Sequence, residues 1–546
     1  MNWAILRMWS AVLIVLLGSA IEMGYIGVLV NLPHEFIETW INVSFKSSYN
    51  RALDGAEVSA IWSVIVSSKE VGQIIGAFGA GFFADRYGRA RTICWNSIPL
   101  LVGVILQATA VSLGHFEVLI GGRLISAVAI GAASVVVPVY LNEIAPIKYR
   151  GAFGFAYYLA SITGVSLALL VEIPELLGKP PYWQYGFFIP VLFIFIQWMT
   201  FLAIYPEPPR YALLTGNSEQ LARQSAKFYQ GADAIEPLLQ ELYDEKRSDF
   251  SQQASTVASH YPVTNTDIEQ IPADSQGTAK KLIRIISDRR LRHTLAISFV
   301  LCLGKVSCGP AVMLSYSSEL LVTFGLPLST AEYTSTGIGI AMLSASITSV
   351  YLVERVGRRS LVVSSAWWGL ASLVLMFLVS VTLSSGQFTG RSFCASPKGE
   401  TTMIEHIVCS SPSYVYAFTL YLWSCMYSLG LGPSAITIIG EIWLQQHRAI
   451  VIGLGTAFMY TSSLILTFVT PNLLEPIGGY VLLFLIIPLA FSCLYLHWNC
   501  PETKGKTNLQ IVTELTTIDH TVIAGDAVSV PYTILHEDIE NNDDVI

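Results

Sequence analysis

A dozen apolar runs of about 20 residues each dominate this sequence, beginning near Trp9, Val58, Thr92, Phe116, Phe153, Tyr185, Leu295, Ala331, Leu361, Tyr414, Ala449 and Tyr480. That length, at about 1.5 Å per residue, crosses roughly 30 Å of hydrocarbon. Lipid offers the backbone no hydrogen-bond partner, so each run must satisfy its own donors and acceptors as a helix. Nothing here alternates with the period of two that a barrel needs. The expected fold class is therefore an all-α polytopic membrane protein with twelve transmembrane helices. Only 13% of residues are charged, against about a quarter in soluble domains, and the mean hydropathy is +0.55, which excludes a soluble enzyme. The net charge of −8 gives no polycationic signal for nucleic acid. The first run has Arg7 ahead of it and passes through Gly18-Ser19-Ala20 like a signal peptide, yet stays apolar to about Val30. It reads as a retained helix.

Six runs precede a long polar stretch and six follow it, dividing the chain into 1–205, a linker at 206–292, 293–500 and an acidic tail at 501–546. In the linker, Asn217 to Lys246 has helical periodicity with the Asn as a cap, whereas Asp249 to Gln276 is polar and reads as a mobile insertion. Of 31 basic residues, Lys69, Arg123 and Lys305 fall inside runs and five (Lys46, Arg51, Lys179, Arg391, Lys398) on one side, leaving 23 with the termini. The positive-inside rule makes the terminal side cytoplasmic, and the plasma membrane is the expected location. Asn42-Val43-Ser44 is then a glycan acceptor in the first outer loop, and Cys394 and Cys409 share an outer loop where a disulfide can form. The other six cysteines read as small packing residues.

No G-x-x-x-x-G-K-[ST] loop, H-E-x-x-H pair or clustered Cys/His pattern occurs, so no cofactor or metal is implied. Nor is there a T-V-G-Y-G filter or an arginine-rich helix for a channel. Two loops share an acid-Arg-x-Gly-Arg core six runs apart: Asp85-Arg86-Tyr87-Gly88-Arg89 and Glu354-Arg355-Val356-Gly357-Arg358. Positive-inside loops explain the arginines but not the repeated acid and glycine, which mark an internal repeat of the kind found in transporters built from two like halves. Each glycine allows a tight turn. The acid can sit at a helix N-terminus while the arginines reach Glu143 and Glu441.

With these loops go Arg123, Pro138-x-Tyr140-x-x-Glu143-x-x-Pro146 with Arg150-Gly151, Pro206-Glu207-Pro208-Pro209-Arg210-Tyr211, Gly432-Pro433, Glu441, Arg448 and Pro501-Glu502-Thr503-Lys504-Gly505. In this order, from Gly24-Tyr25 to Lys506, the chain resembles the sugar porter family of the major facilitator superfamily, the facilitated glucose transporters. The resemblance implies two six-helix bundles, a helical linker domain and alternating access around a midplane site. It also implies an inner gate network, here Asp85, Arg86, Arg89, Arg123, Glu143, Arg150, Glu354, Arg358, Arg359, Glu441 and Arg448. The sugar ligands of the family are largely replaced. Its Gln-Gln-x-x-x-x-Asn reads Gly304 to Pro310, its remaining ligand positions read Tyr158, about Met342, Ile436 and Met459-Tyr460, and its proton-coupled members' acid reads Ile26. Tyr157, Tyr158, Tyr460, Thr461 and Ser462 can supply part of the polar contact a hydroxylated solute needs.

Charge stands in place of the lost amides. Glu22, Lys69, Glu70 and Lys305 fall near mid-bilayer, where each charge costs roughly 2.5–3.5 kcal/mol and must face a partner or a wet cavity. Lys69 and Glu70 read as a helix-packing pair, since adjacent residues are not expected to point into one cavity. Lys305 reads as a ligand or as the partner of Glu22, and Glu22 in turn as a candidate ligand or a helix-packing charge. The leading function is a facilitative transporter of a hexose or other small organic solute, with that solute and membrane lipid as its partners. A proton-coupled symporter titrating at Glu22 and a non-transporting, transporter-like sensor are the alternatives.

Overall fold

The computed structural model describes residues 3–505, apart from 147–149, 181, 215–217, 241, 244–284, 288, 385–402 and 444; beyond 505 it describes only 511 and 514. Asn217, the insertion expected at 249–276, Cys394 and, apart from residues 511 and 514, the acidic tail beyond 505 lie outside the described residues. So do the side chains of Arg150, Glu354 and Cys409.

Twelve long helices carry the apolar runs: α1 (Trp3–Val28), α2 (Gly55–Tyr87), α3 (Arg89–Leu113), α4 (Phe116–Ile144), α5 (Arg150–Val171), α6 (Trp183–Ala203), α7 (Leu291–Ser315), α8 (Leu328–Val356), α9 (Arg358–Ser384), α10 (Ser413–Ile442), α11 (Gln445–Ile477) and α12 (Gly478–Asn499). Eleven are long and apolar enough to cross a membrane. The twelfth, α2, is 33 residues long and carries Lys69 and Glu70 near its middle. The chain is an integral membrane protein of all-α fold, with no strand among the described residues. Its outer surface exposes Ile75, Phe78, Leu192, Phe418 and Ile487, the reverse of what a water-soluble fold does with large apolar side chains.

Local chemistry sets where the helices start and break. Asp54 caps α2, and the Glu57 carboxylate accepts the Asp54 N–H at 3.0 Å, which completes a capping box. Helix α7 is interrupted at Gly309, which holds φ at +86° before Pro310 opens the next turn, and α10 is interrupted at Gly430. Such breaks place polar backbone beside a cavity, the setting in which membrane helices tolerate them.

Two elements differ from expectation. The supposed outer loop holding Asn42 is a helix, His34–Tyr49, whose polar, amphipathic sequence has no apolar run to announce it. On the terminal side, Ser218 rather than Asn217 caps the helix Glu219–Tyr229, its side chain accepting the Leu221 N–H at 3.4 Å. That helix docks on the first half through Tyr229, whose hydroxyl lies 2.9 Å from that of Tyr140 and donates to the Pro206 carbonyl at 2.7 Å.

Small residues bring the helices of the first half together. Gly72 and Gly76 on α2 lie against α4 backbone, Gly103 on α3 against α4, and Gly24 on α1 against α5. Between halves, α2 packs on α11 and α5 on α8. On the face away from the termini the halves are joined by side-chain hydrogen bonds: Asn31 Nδ2 donates to Ser317 Oγ at 2.7 Å, and the Tyr333 hydroxyl donates to Glu175 at 2.7 Å. Deeper, Ser166 Oγ donates to the Gly339 carbonyl at 2.7 Å.

Candidate functional site

A cavity of about 210 Å³ lies between the halves, lined by α1, α2, α4 and α5 on one side and α7, α10 and α11 on the other. Helical spacing decides which residues reach it. On α5 the lining residues are Gly154, Tyr157, Tyr158, Ser161, Ile162 and Val165, and on α11 they include Thr456, Met459, Tyr460 and Ser463, each a stripe with the i, i+3, i+4, i+7 period.

Four of the expected ligands line the cavity: Lys305, Tyr157, Tyr158 and Tyr460. Thr461 does not. It sits off the α11 stripe, exposed, with its hydroxyl donating to the Ala457 carbonyl at 2.8 Å, and Ser463 takes the place expected for it. Glu22 does not line the cavity either. Its neighbours Met23, Gly24, Gly27 and Val28 do, which puts the Glu22 carboxyl on the back of α1, buried, with Oε2 lacking a hydrogen-bond partner. No ion pair joins Glu22 to Lys305 among the described residues, so that expected pairing is corrected.

The cavity also takes in Gln73, Asn142 and Tyr427, which no motif singles out. Gln73 is only 4% exposed, an amide inside an apolar run three residues beyond Glu70, and this spacing is the signal that could have found it. The aromatic wall is continuous. Tyr158 meets Tyr427 edge to face at 6.3 Å, Tyr427 stacks on Trp423 at 5.8 Å and 10°, and the Tyr158 hydroxyl donates to Ser428 Oγ at 3.4 Å.

Lys69 and Glu70 form an ion pair at 3.4 Å, as expected, but both line the cavity, which corrects the argument that neighbours cannot. Successive helix positions are about 100° apart, not opposed, and the long lysine stem bends to donate to the Gly27 carbonyl at 3.2 Å. Arg123 lies inside the fourth run, as its sequence position implies, and is buried in the molecule rather than joined to the loop charges with which the resemblance grouped it. It is 2% exposed, its Nε donating to the Ile65 carbonyl at 2.9 Å and its charge acting with those of Glu70 and Glu172.

The two repeated loops have the same construction. Gly88 and Gly357 hold φ at +105° and +97°, and a carboxylate from a distant segment seats on the helix start that follows. Glu207 accepts the N–H groups of Ala90 and Arg91, both at 3.0 Å, and Glu502 accepts those of Arg358 at 3.0 Å and Arg359 at 3.2 Å. A Cβ on either glycine would run into that carboxylate. The acid at each helix N-terminus is therefore Glu207 or Glu502, not the loop acid expected there. Burial pushes the Glu207 carboxyl up, against these hydrogen bonds and the nearby Arg89 and Arg91, which hold it down.

Asp85 instead pairs with Arg89 at 3.3 Å on the surface, while Arg89 Nε reaches the buried Glu143 at 3.1 Å and the guanidinium lies 4.7 Å over the Tyr211 ring. In the second half Arg358 pairs with Glu441 at 3.7 Å. Arg448 donates to the Trp443 carbonyl at 3.2 Å and acts electrostatically on Glu143 across the halves. Arg359 donates to the His497 carbonyl at 3.0 Å. Arg86 departs from the expected network: it is exposed and stacks on Phe82 and Tyr87 at 5.9 and 5.6 Å.

Asn42, in the helix His34–Tyr49, accepts the Leu53 N–H at 3.2 Å, and Ser44 of the same tripeptide is buried, donating to the Gly114 carbonyl at 2.7 Å. Cys94, Cys302, Cys308, Cys425, Cys493 and Cys500 are free thiols, and all but Cys425 are buried.

The family model described as "Sugar (and other) transporter" matches residues 11–515. Human solute carrier family 2, facilitated glucose transporter member 7 is 26% identical over 494 residues, covering 90% of this chain and 87% of that protein. Human member 4 is 27% identical over 513 residues, covering 93% and 89%, and chicken member 1 is 25% identical over 505, covering 92% of each. Among solved structures, the proton:xylose symporter XylE bound to 6-bromo-6-deoxy-D-glucose superposes with a TM-score of 0.73 at 17% identity, covering 94% of this chain and 100% of that one. An inward-open structure of the xylose transporter XylE from E. coli superposes at 0.64 with 17% identity, covering 93% and 99%. With a family match that runs through both loop repeats and all twelve helices, this chain is a member of the sugar transporter family.

Proposed function

We propose that this protein carries a hexose or another small organic solute across a membrane by alternating access, moving it down its gradient. The observation that carries the reading is the cavity shared by both halves, with hydrogen bonds between the halves on one face and charged loops on the other. At about 210 Å³ it falls below the roughly 300–1,000 Å³ of drug-sized pockets and suits a solute of one ring. Residues 1–205 and 293–500 are the bodies that rock, with 206–292 as their cytoplasmic linker and 501–546 as a tail. The relatives named above as facilitated glucose transporters support the facilitative reading over a sensor. The position of Glu22 off the cavity supports it over proton coupling.

Uptake by proteoliposomes across labelled hexoses, polyols and organic acids, with and without a pH gradient, tests this. The expected result is saturable uptake of at least one solute at a rate indifferent to the pH gradient. Uptake that requires the gradient would replace the facilitative reading with a coupled one, and no saturable uptake at all would favour the sensor.

Orientation is part of the same proposal: both termini in the cytoplasm, at the plasma membrane, with Asn42 and the cysteines at 394 and 409 outside. In intact cells an epitope after Ile546 should be labelled only once the membrane is permeabilised. Labelling without permeabilisation would invert the assignment.

A further inference from the structure

We infer that the solute is anionic, a monocarboxylate of hexose size whose charge is met by Lys305. This rests on the carrier reading above and names its substrate class. Three basic or acidic side chains line the cavity, Lys69 and Lys305 against Glu70. Glu70 is already engaged, paired with Lys69 at 3.4 Å and acted on by the charge of Arg123. The lining therefore carries one ammonium in excess, and among the described residues no carboxylate pairs with Lys305. Its Nζ stands 5.7 Å over the Tyr158 ring, a cation–π contact that orients the ammonium without cancelling its charge.

A neutral solute leaves that charge uncompensated when water is expelled from the cavity. A carboxylate cancels it and gains charge-assisted hydrogen bonds, which are shorter and stronger than neutral ones. The remaining lining suits a hydroxylated ring: Tyr158 and Tyr427 offer aromatic surface, while Gln73, Asn142 and Ser463 offer amide and hydroxyl groups. A facilitative carrier of a monoanion moves one negative charge per turnover, so its uptake responds to membrane potential.

D-Glucuronate and D-glucose share a ring and differ in having a carboxylate or a hydroxymethyl group, which makes them the probes. Proteoliposomes of the full chain, with a potassium diffusion potential set by valinomycin, should take up labelled glucuronate, and do so faster when the interior is positive. Glucuronate should compete better than glucose, and Lys305→Gln should lose uptake about 10- to 100-fold, the share of one charge-assisted hydrogen bond. Lys305→Arg, which keeps the charge, should retain more. If glucose enters while glucuronate neither enters nor competes, the inference falls and the carrier reading stands. If neither these probes nor any solute of the wider panel enters, the carrier reading falls and takes the inference with it. A folded Lys305→Gln protein that transports glucuronate like the wild type overturns the assignment to Lys305. Should that variant fail to fold, the competition between the two sugars on the wild-type protein decides the question.

Discussion

Glu143→Gln should destabilise the protein by about 3–5 kcal/mol, whereas Asp85→Asn, which removes the other carboxylate on the same arginine, should cost no more than about 0.3–0.5 kcal/mol. The two acids flank Arg89 at almost equal distances, 3.1 Å for Glu143 and 3.3 Å for Asp85. Burial separates them. The Glu143 side chain is 1% exposed and that of Asp85 49%, while Arg89 itself is 6% exposed. Losing Asp85 removes a solvent-screened i,i+4 pair. Losing Glu143 leaves the buried guanidinium only the solvent-screened Asp85 and the Ala84 carbonyl, and also removes the carboxylate on which the charges of Arg210 and Arg448 act. Thermal unfolding of the purified variants in detergent checks the order, and cysteine accessibility on the two faces reports whether the conformational balance moves with it. Equal losses for the two variants would mean that burial does not govern this cluster.

That contrast shows what the sequence could and could not convey. Asp85 and Glu354 stand out in sequence because they repeat, yet the carboxylates that seat on the two helix starts, Glu207 and Glu502, come from segments more than a hundred positions away. Local motifs mark the glycines, whose positive φ is a property of the backbone alone, but not the partner a fold brings to them. The twelve long helices are legible because crossing hydrocarbon demands length and apolarity, both written in consecutive residues. The helix His34–Tyr49 is not, since it is amphipathic and carries no such run. Within the site, the tyrosines and Lys305 show as polar exceptions in apolar runs. Thr461, expected beside Tyr460, misses the cavity because adjacency in sequence is not adjacency in space: on α11 the cavity stripe passes from Tyr460 to Ser463.

The close contact of α2 and α4 should prove as sensitive as the buried charge. Gly131 of α4 faces the backbone of Gln73, and Gly76 of α2 faces the backbone of Val128 and Ala132, so a Cβ at either position has no flexible side chain to displace. Gly131→Val must force the helices apart. Overpacking of this kind costs about 1–3 kcal/mol and occasionally more, and here it should reach or exceed the upper figure, because backbone is the obstacle on both sides. The damage reaches the cavity directly, since α2 supplies Lys69, Glu70 and Gln73 to its lining and α4 supplies Ser134, Pro138 and Asn142. Gly121 lies on the same helix with a helical φ, and a methyl group added there would meet nothing within 4 Å. Gly121→Ala should therefore gain about 0.5–1 kcal/mol from reduced backbone freedom. Unfolding temperatures of the two variants should move in opposite directions, and solute uptake should fall only in Gly131→Val. A Gly131→Val protein as stable and active as the wild type would show that α2 and α4 do not approach this closely in the membrane.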